Sequence, residues 1–173
     1  MAMVLRSDKV AFYGVPGLGS DSVPTYTRMK YFTSFTTSKN SNEYTRHYVD
    51  EKYEQTDVTG ISPSIDFGFD EYTPDAVIDD IVKIITEEKI GSEAVRSIVI
   101  VDFSKKGSSD DSFVAYKRDW AVIPSSEGDG TDAYTYSGTL KVKSDLVKGS
   151  ATISKPVSGG TKSTATEITF SAE

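Results

Sequence analysis

Between Ile61 and Phe103 the chain sets out three elements whose hydrophobic periods differ, and this succession restricts the fold more than any other feature of it. From Ile61 to Asp70 the period is two: Ile61, Pro63, Ile65, Phe67 and Phe69 share one face, and Ser62, Ser64, Asp66, Gly68 and Asp70 share the other. Such alternation predicts a strand with its apolar face on a core and a small, acidic face in solvent. Pro63 cannot donate to a ladder, so it marks an edge or the first residues of the strand. The period then lengthens. Val77, Ile78, Ile81, Val82, Ile84 and Ile85 form one stripe at helical spacing, predicting a helix over about residues 74–89 with that stripe as core. Thr73 is the expected N-cap and Pro74 the first helical residue, while Asp75, Asp79 and Asp80 suit the positive end of the macrodipole. Gly91 is placed for a left-handed residue beyond the last turn. All six stripe residues are β-branched, which lowers helicity, so this helix needs a sheet to pack on. From Arg96 to Phe103 apolar residues run almost without interruption, as in a central strand covered on both faces.

The remaining strands are expected at Lys9–Val15, Tyr26–Ser38, Phe113–Ile123, Tyr134–Lys143, Gly149–Ser154 and Glu167–Phe170. The segments 134–143 and 149–154 read as a pair turning around Asp145–Lys148. Gly, Pro and Ser mark loops at Pro16–Pro24, Lys105–Ser112 and Pro124–Asp132, and a linker at Ser158–Thr161. Residues 43–57 show neither period and read as an irregular or partly extended loop, long enough to be functional or docked on a partner. About eight strands and one helix suit two packed sheets with a flanking helix: a mainly β (α+β) sandwich or split barrel. The expected division is a main domain over residues 1–155, followed by a C-terminal arm or final strand over 156–173.

Chemistry is hard to find. The 173 residues include no cysteine and one histidine, His47, so neither thiol chemistry nor a zinc site of three or four His and Cys ligands is available. Gly14–Ser20 resembles a phosphate loop but lacks the lysine and a following helix. Glu127–Asp132 and Asp110-Asp111 lack the ligand spacing of a calcium loop. No catalytic, cofactor-binding or metal-binding residue is expected, and no enzyme. Met1–Asp8 has no apolar run of the kind a secretory leader carries, and no stretch has the length of a membrane span. The net charge of −7 is unevenly distributed. Residues 1–42 balance at +3, residues 43–89 at −9 and residues 90–173 at −1. An acidic block is the wrong sign for gripping phosphates. Ten tyrosines against one tryptophan, several among charges, is a composition that adaptable interfaces use.

Glu43–Glu51, Thr56–Ile65, Ile81–Lys83, Gly91–Phe103 and Arg118–Gly138 together resemble the major tail (tail tube) proteins of siphophages of Gram-positive bacteria, over roughly residues 5–154. The resemblance implies a homohexameric ring that stacks into a hollow tube, its inner barrel assembled from strands of every subunit. It also implies a virion location, with synthesis and assembly in the host cytoplasm. Implied partners are other copies of the chain, tail-tip initiator, tape measure and tail terminator proteins, and double-stranded DNA passing without specific binding; no membrane is implied. On that footing Ser62, Ser64, Asp66 and Asp70 are expected to face the lumen. Glu43, Tyr44, Arg46, Tyr48, Asp50, Glu51, Tyr53 and Asp57 are expected to make the stacking contacts. Val77, Ile78, Ile81, Val82 and Ile85 are expected to be helix core. The alternatives are the inner tube of a contractile tail or tailocin, and a monomeric β-sandwich that binds carbohydrate or a cell surface through an aromatic platform.

Overall fold

A computed structural model describes residues 3–17, 23–156 and 165–173. Its strands are β1 Lys9–Val15, β2 Thr25–Arg28, β3 Phe32–Ser38, β4 Ser41–Arg46, β5 Gln55–Ile61, β6 Ser64–Asp70, β7 Val95–Lys106, β8 Ser112–Glu127, β9 Thr135–Val142, β10 Val147–Pro156 and β11 Ala165–Ala172. The α-helix, α1, is Ala76–Thr86. The fold is mainly β with one flanking helix, as the alternation of the sequence predicts.

The architecture turns on β8, which is 16 residues long. Along one edge it pairs with β7. Along the other edge, Ser112–Lys117 pair with β10 and Trp120–Glu127 pair with β9. From β10 the sheet continues through β11, β2 and β1 back to β7, closing a six-stranded barrel. From β9 it continues through β6 to β3 and stops at an open edge. The result is a split barrel: one half closed, the other a sheet that curls over a second core.

Alternation explains why the middle of the sequence is so apolar. In β1, Val10 and Phe12 fill the barrel, while Ala11 and Tyr13 face the core beneath the helix. In β7, Val99, Val101 and Phe103 point into the barrel, and Ile98 and Ile100 point the other way. Both faces of these strands are covered, so nearly every position must be apolar. β6 contributes Ile65, Phe67 and Phe69 to the second core, and α1 adds Val77, Ile78, Ile81 and Ile84, all buried. Each such aliphatic side chain contributes about 2 kcal/mol when fully removed from water. Val82 and Ile85 pack on the same core from its margin.

Several elements differ from the sequence reading. The helix is shorter than 74–89, and its N-cap is Asp75, whose carboxylate accepts from the amides of Val77 (3.0 Å) and Ile78 (3.1 Å). Thr73 and Pro74 lie outside it. Asp ranks above Thr as a cap. Its C-terminus is closed by Glu88, not Gly91. Glu88 takes φ +51°, and the Lys89 amide donates to the Ile84 carbonyl at 3.0 Å in a Schellman turn. A side chain in that region is strained, so Glu88→Gly is expected to stabilise the protein by about 0.5–1 kcal/mol. Thermal unfolding of the single variant checks this.

Tyr26–Ser38 is two strands, because Tyr31 turns the chain at φ +63°. The strand read as Ile61–Asp70 begins at Ser64; Ile61 ends β5 and is exposed. Residues 43–57, read as an irregular or partly extended loop, are extended over β4 and β5 and make most of a β-hairpin. β8 runs through Pro124 to Glu127, so the loop expected at Pro124–Asp132 starts later. β9 and β10 do not pair with each other. They follow one another along the same edge of β8, joined by a jog held by the Lys143 amide to the Asp119 carbonyl and the Asp119 amide to Ser144 Oγ, both 2.9 Å. β11 lies between β10 and β2 as a barrel strand. The linker at Ser158–Thr161 and part of the Pro16–Pro24 loop lie outside the described residues.

Candidate assembly surfaces

The β4–β5 hairpin stands away from both cores. Its register runs from Ser41 opposite Ile61 to Arg46 opposite Gln55, and every residue of β4 is exposed. Local contacts shape it. Thr45 and Thr56 hydroxyls meet across the strands at 3.0 Å, the Arg46 guanidinium lies 5.4 Å from the Tyr44 ring centre, and His47 Nε2 bonds the Glu51 carbonyl at 2.8 Å. His47 is thereby a turn residue. All eight expected stacking residues fall on this ribbon: Glu43, Tyr44 and Arg46 on β4, Tyr48, Asp50, Glu51 and Tyr53 between the strands, and Asp57 on β5. All are exposed, and Val49, Tyr53 and Val58 add bare apolar surface. A two-stranded ribbon is marginal in water unless something covers a face of it.

The second surface is the outer face of the open sheet formed by β8, β9, β6 and β3. Asp66 is exposed there and accepts a hydrogen bond from the Thr139 hydroxyl at 2.9 Å. Ser137 and Thr139 of β9 and Ser34 and Thr36 of β3 continue a face of small polar residues. Ser62 is exposed in the link before β6, its amide bonded to the Asn40 carbonyl. Asp70 is half-buried at the end of β6. Ser64 departs from the expected solvent face: it is 6% exposed and bonded through Oγ to Asn40 Nδ2 at 3.0 Å. It closes the base of the hairpin, because the chain crosses there from β5 into the sheet.

The third surface was not anticipated from the sequence. β3 ends the sheet, and among the described residues no strand pairs with its outer edge. At the start of β3 the rings of Tyr31 and Tyr72 stack 4.4 Å apart, half in solvent. The stack hides the inner ring faces, and the only tryptophan, Trp120, is buried, so neither forms an open aromatic platform for a sugar. The left-handed backbone of Tyr31, which carries no glycine or asparagine signal, is why this edge stayed hidden.

The helix is held to the barrel strands β1 and β7 by a polar contact at the margin of the second core. Asp80 of α1 accepts from Tyr13 Oη at 2.6 Å and from Arg96 Nε at 2.7 Å and Nη2 at 3.1 Å. Burial pushes the Tyr13 hydroxyl well above its ordinary pKa, and the Asp80 charge pushes it the same way, so it stays a neutral donor. The group is a structural clamp joining α1 to β1 and β7. Among the described residues no cluster of His, Cys, Asp and Glu is arranged to hold a metal ion, and no helix is long and apolar enough to cross a membrane.

No family model matches the sequence, and no curated protein matches it. Solved structures do. A chain from the cryo-electron microscopy structure of the anti-feeding prophage baseplate, sixfold symmetrised, aligns over 86% of this chain and 96% of its own, with TM-score 0.50 and 8% identity. A chain of the anti-feeding prophage tube-terminating cap aligns over 86% and 91%, with TM-score 0.45 and 13% identity. A chain of the sheath–tube complex of an extracellular contractile injection system, in its extended state, aligns over 84% and 90%, with TM-score 0.43 and 11% identity. At 8% identity the likeness is one of fold: this protein shares the architecture of that anti-feeding prophage baseplate chain.

Proposed function

We propose that the protein is a structural tail subunit that forms homohexameric rings stacked into the hollow tube of a phage tail. The observation that carries this reading is the β4–β5 hairpin, an extended ribbon with exposed tyrosines whose residues join neither core among the described residues. A ribbon of this kind gains its stability from a neighbour. The open edge of β3 supports the same reading, because an unpaired edge is an aggregation hazard unless another subunit closes it. A head-to-tail contact closes into a ring when its rotation permits. The small polar face carrying Asp66, with Asp70 and Ser62 at its ends, is the proposed lumen lining, whose charge lets double-stranded DNA pass without adhering. Tail-tip initiator, tape measure and terminator proteins are the partners this role requires.

Negative-stain electron microscopy of the concentrated protein, with and without a tail-tip complex, tests the reading. Hollow tubes or sixfold rings are expected; monodisperse monomers in both conditions would remove it. Asp66→Lys with Asp70→Lys is expected to leave tubes intact and slow DNA ejection from virions, because a cationic lining retains phosphates. Ejection at the normal rate would take these residues out of the lumen. A second reading, the inner tube of a contractile tail or tailocin, is favoured by the fold shared with a baseplate chain. A sheath protein bound outside the native tube would select it.

A further inference from the structure

Beside the open edge of β3 runs a groove, walled on one side by Tyr31–Thr37 and on the other by Lys9–Ala11 of β1. Its floor is apolar, made by Phe35, Ala11 and Ile100. Its rim is cationic: Arg6, Lys9 and Lys39 line it, and none of its lining residues is acidic. Lys9 reaches Asp102 only at 3.8 Å. An unpaired strand edge, an apolar floor and a basic rim make a site for an extended, acidic segment added as a further strand.

The chain itself carries such a segment. From Ser41 to Ile61 there are five acidic and two basic residues, a balance of −3. Among the described residues β4 and β5 pair only with each other, so each keeps one open edge. The hairpin leaves the fold at the Ser38–Ser64 end of the β3–β6 pair, whereas the groove extends along β3 to Tyr31 at the other end. The groove thus spans β3 from Lys39, at the base of the ribbon, to Tyr31 at the far end, and a head-to-tail contact would bring a second copy's ribbon to it.

We propose that this groove receives the β4–β5 hairpin of a second copy of the chain, which lays an open edge along β3 while its carboxylates meet the basic rim. The proposal rests on the tube reading and specifies its receptor. The absence of native cysteine makes the contact directly measurable. Thr36→Cys, on β3, is mixed in turn with Thr45→Cys, Val49→Cys and Val58→Cys, on the hairpin, under mild oxidation with the tail-tip complex present. Thr152→Cys, exposed on β10, is the control partner. The expected result is a covalent dimer between Thr36→Cys and at least one hairpin variant, with none to Thr152→Cys. Arg6→Glu with Lys39→Glu is expected to lower the yield about tenfold, and Glu51→Lys with Glu54→Lys to restore it. Tubes that form without this cross-link would overturn the groove assignment and leave the tube reading standing, with another protein as the occupant. Neither tubes nor cross-links would overturn both.

Discussion

Replacing residues 42–60 by Asn-Gly is expected to yield a folded monomer that no longer builds tubes. Ser41 and Ile61 are opposite one another in the ladder, so a two-residue turn can join them without disturbing β3 or β6. The excised segment contributes nothing to either buried core. Stability should therefore change by no more than about 0.5 kcal/mol, as for surface changes generally. Assembly should be lost altogether, because the whole proposed stacking surface is gone. Calorimetry reports the first outcome and electron microscopy the second. Tubes of ordinary length and stability from the shortened chain would show that stacking lies elsewhere.

Asp80→Ala is expected to have the largest effect on folding itself, a loss of about 3–5 kcal/mol. The substitution takes the counter-charge from the Arg96 guanidinium, whose side chain is 11% exposed and which keeps only its Nη1 bonds to the Glu93 and Val95 carbonyls, and it removes the acceptor of Tyr13 Oη. Breaking one side of a buried pair costs that much because the other charge is left without its counter-charge. Against the usual total of about 5–15 kcal/mol, this brings the protein close to unfolding. Urea titration measures it. The triple change Tyr13→Phe, Asp80→Leu, Arg96→Met removes every member of the clamp and should recover most of the loss. If Asp80→Ala shifts the midpoint no more than a surface substitution does, the clamp is not holding the helix.

The fold was legible where burial imposes a period. Ile65, Phe67 and Phe69 alternate because one face of β6 is core, and Val99, Val101 and Phe103 run beside Ile98 and Ile100 because β7 is covered on both faces. The hairpin was illegible for the converse reason. With every residue of β4 exposed, nothing selects alternation, so Glu43–Arg46 reads as loop. Charge and tyrosines nonetheless marked out Glu43–Asp57 as one group, and these residues share one exposed ribbon. Tyr31 supplies a left-handed turn without a turn residue, which concealed both the break between β2 and β3 and the open edge after it. Pro124 looked like a terminator, yet it lies beyond Ala121, the last β8 residue paired with β7, and next to an irregularity in the β9 register. A missing amide costs little there. The sequence of β9 and β10 suggested a hairpin because the residues between them are few; the Ser144 and Asp119 bonds that make them successive rungs on β8 are visible only in space.

The sharing of β8 has a mechanical consequence. The closed barrel and the open sheet have no linker between them and no separate strand at their junction. The same continuous backbone belongs to both, and the jog at Lys143–Ser144 is bonded to it. A hinge between the two halves would have to break the ladder of the longest strand in the protein. The protein is therefore a stiff block, and the proposed tube would bend at the joints between copies while the blocks keep their shape.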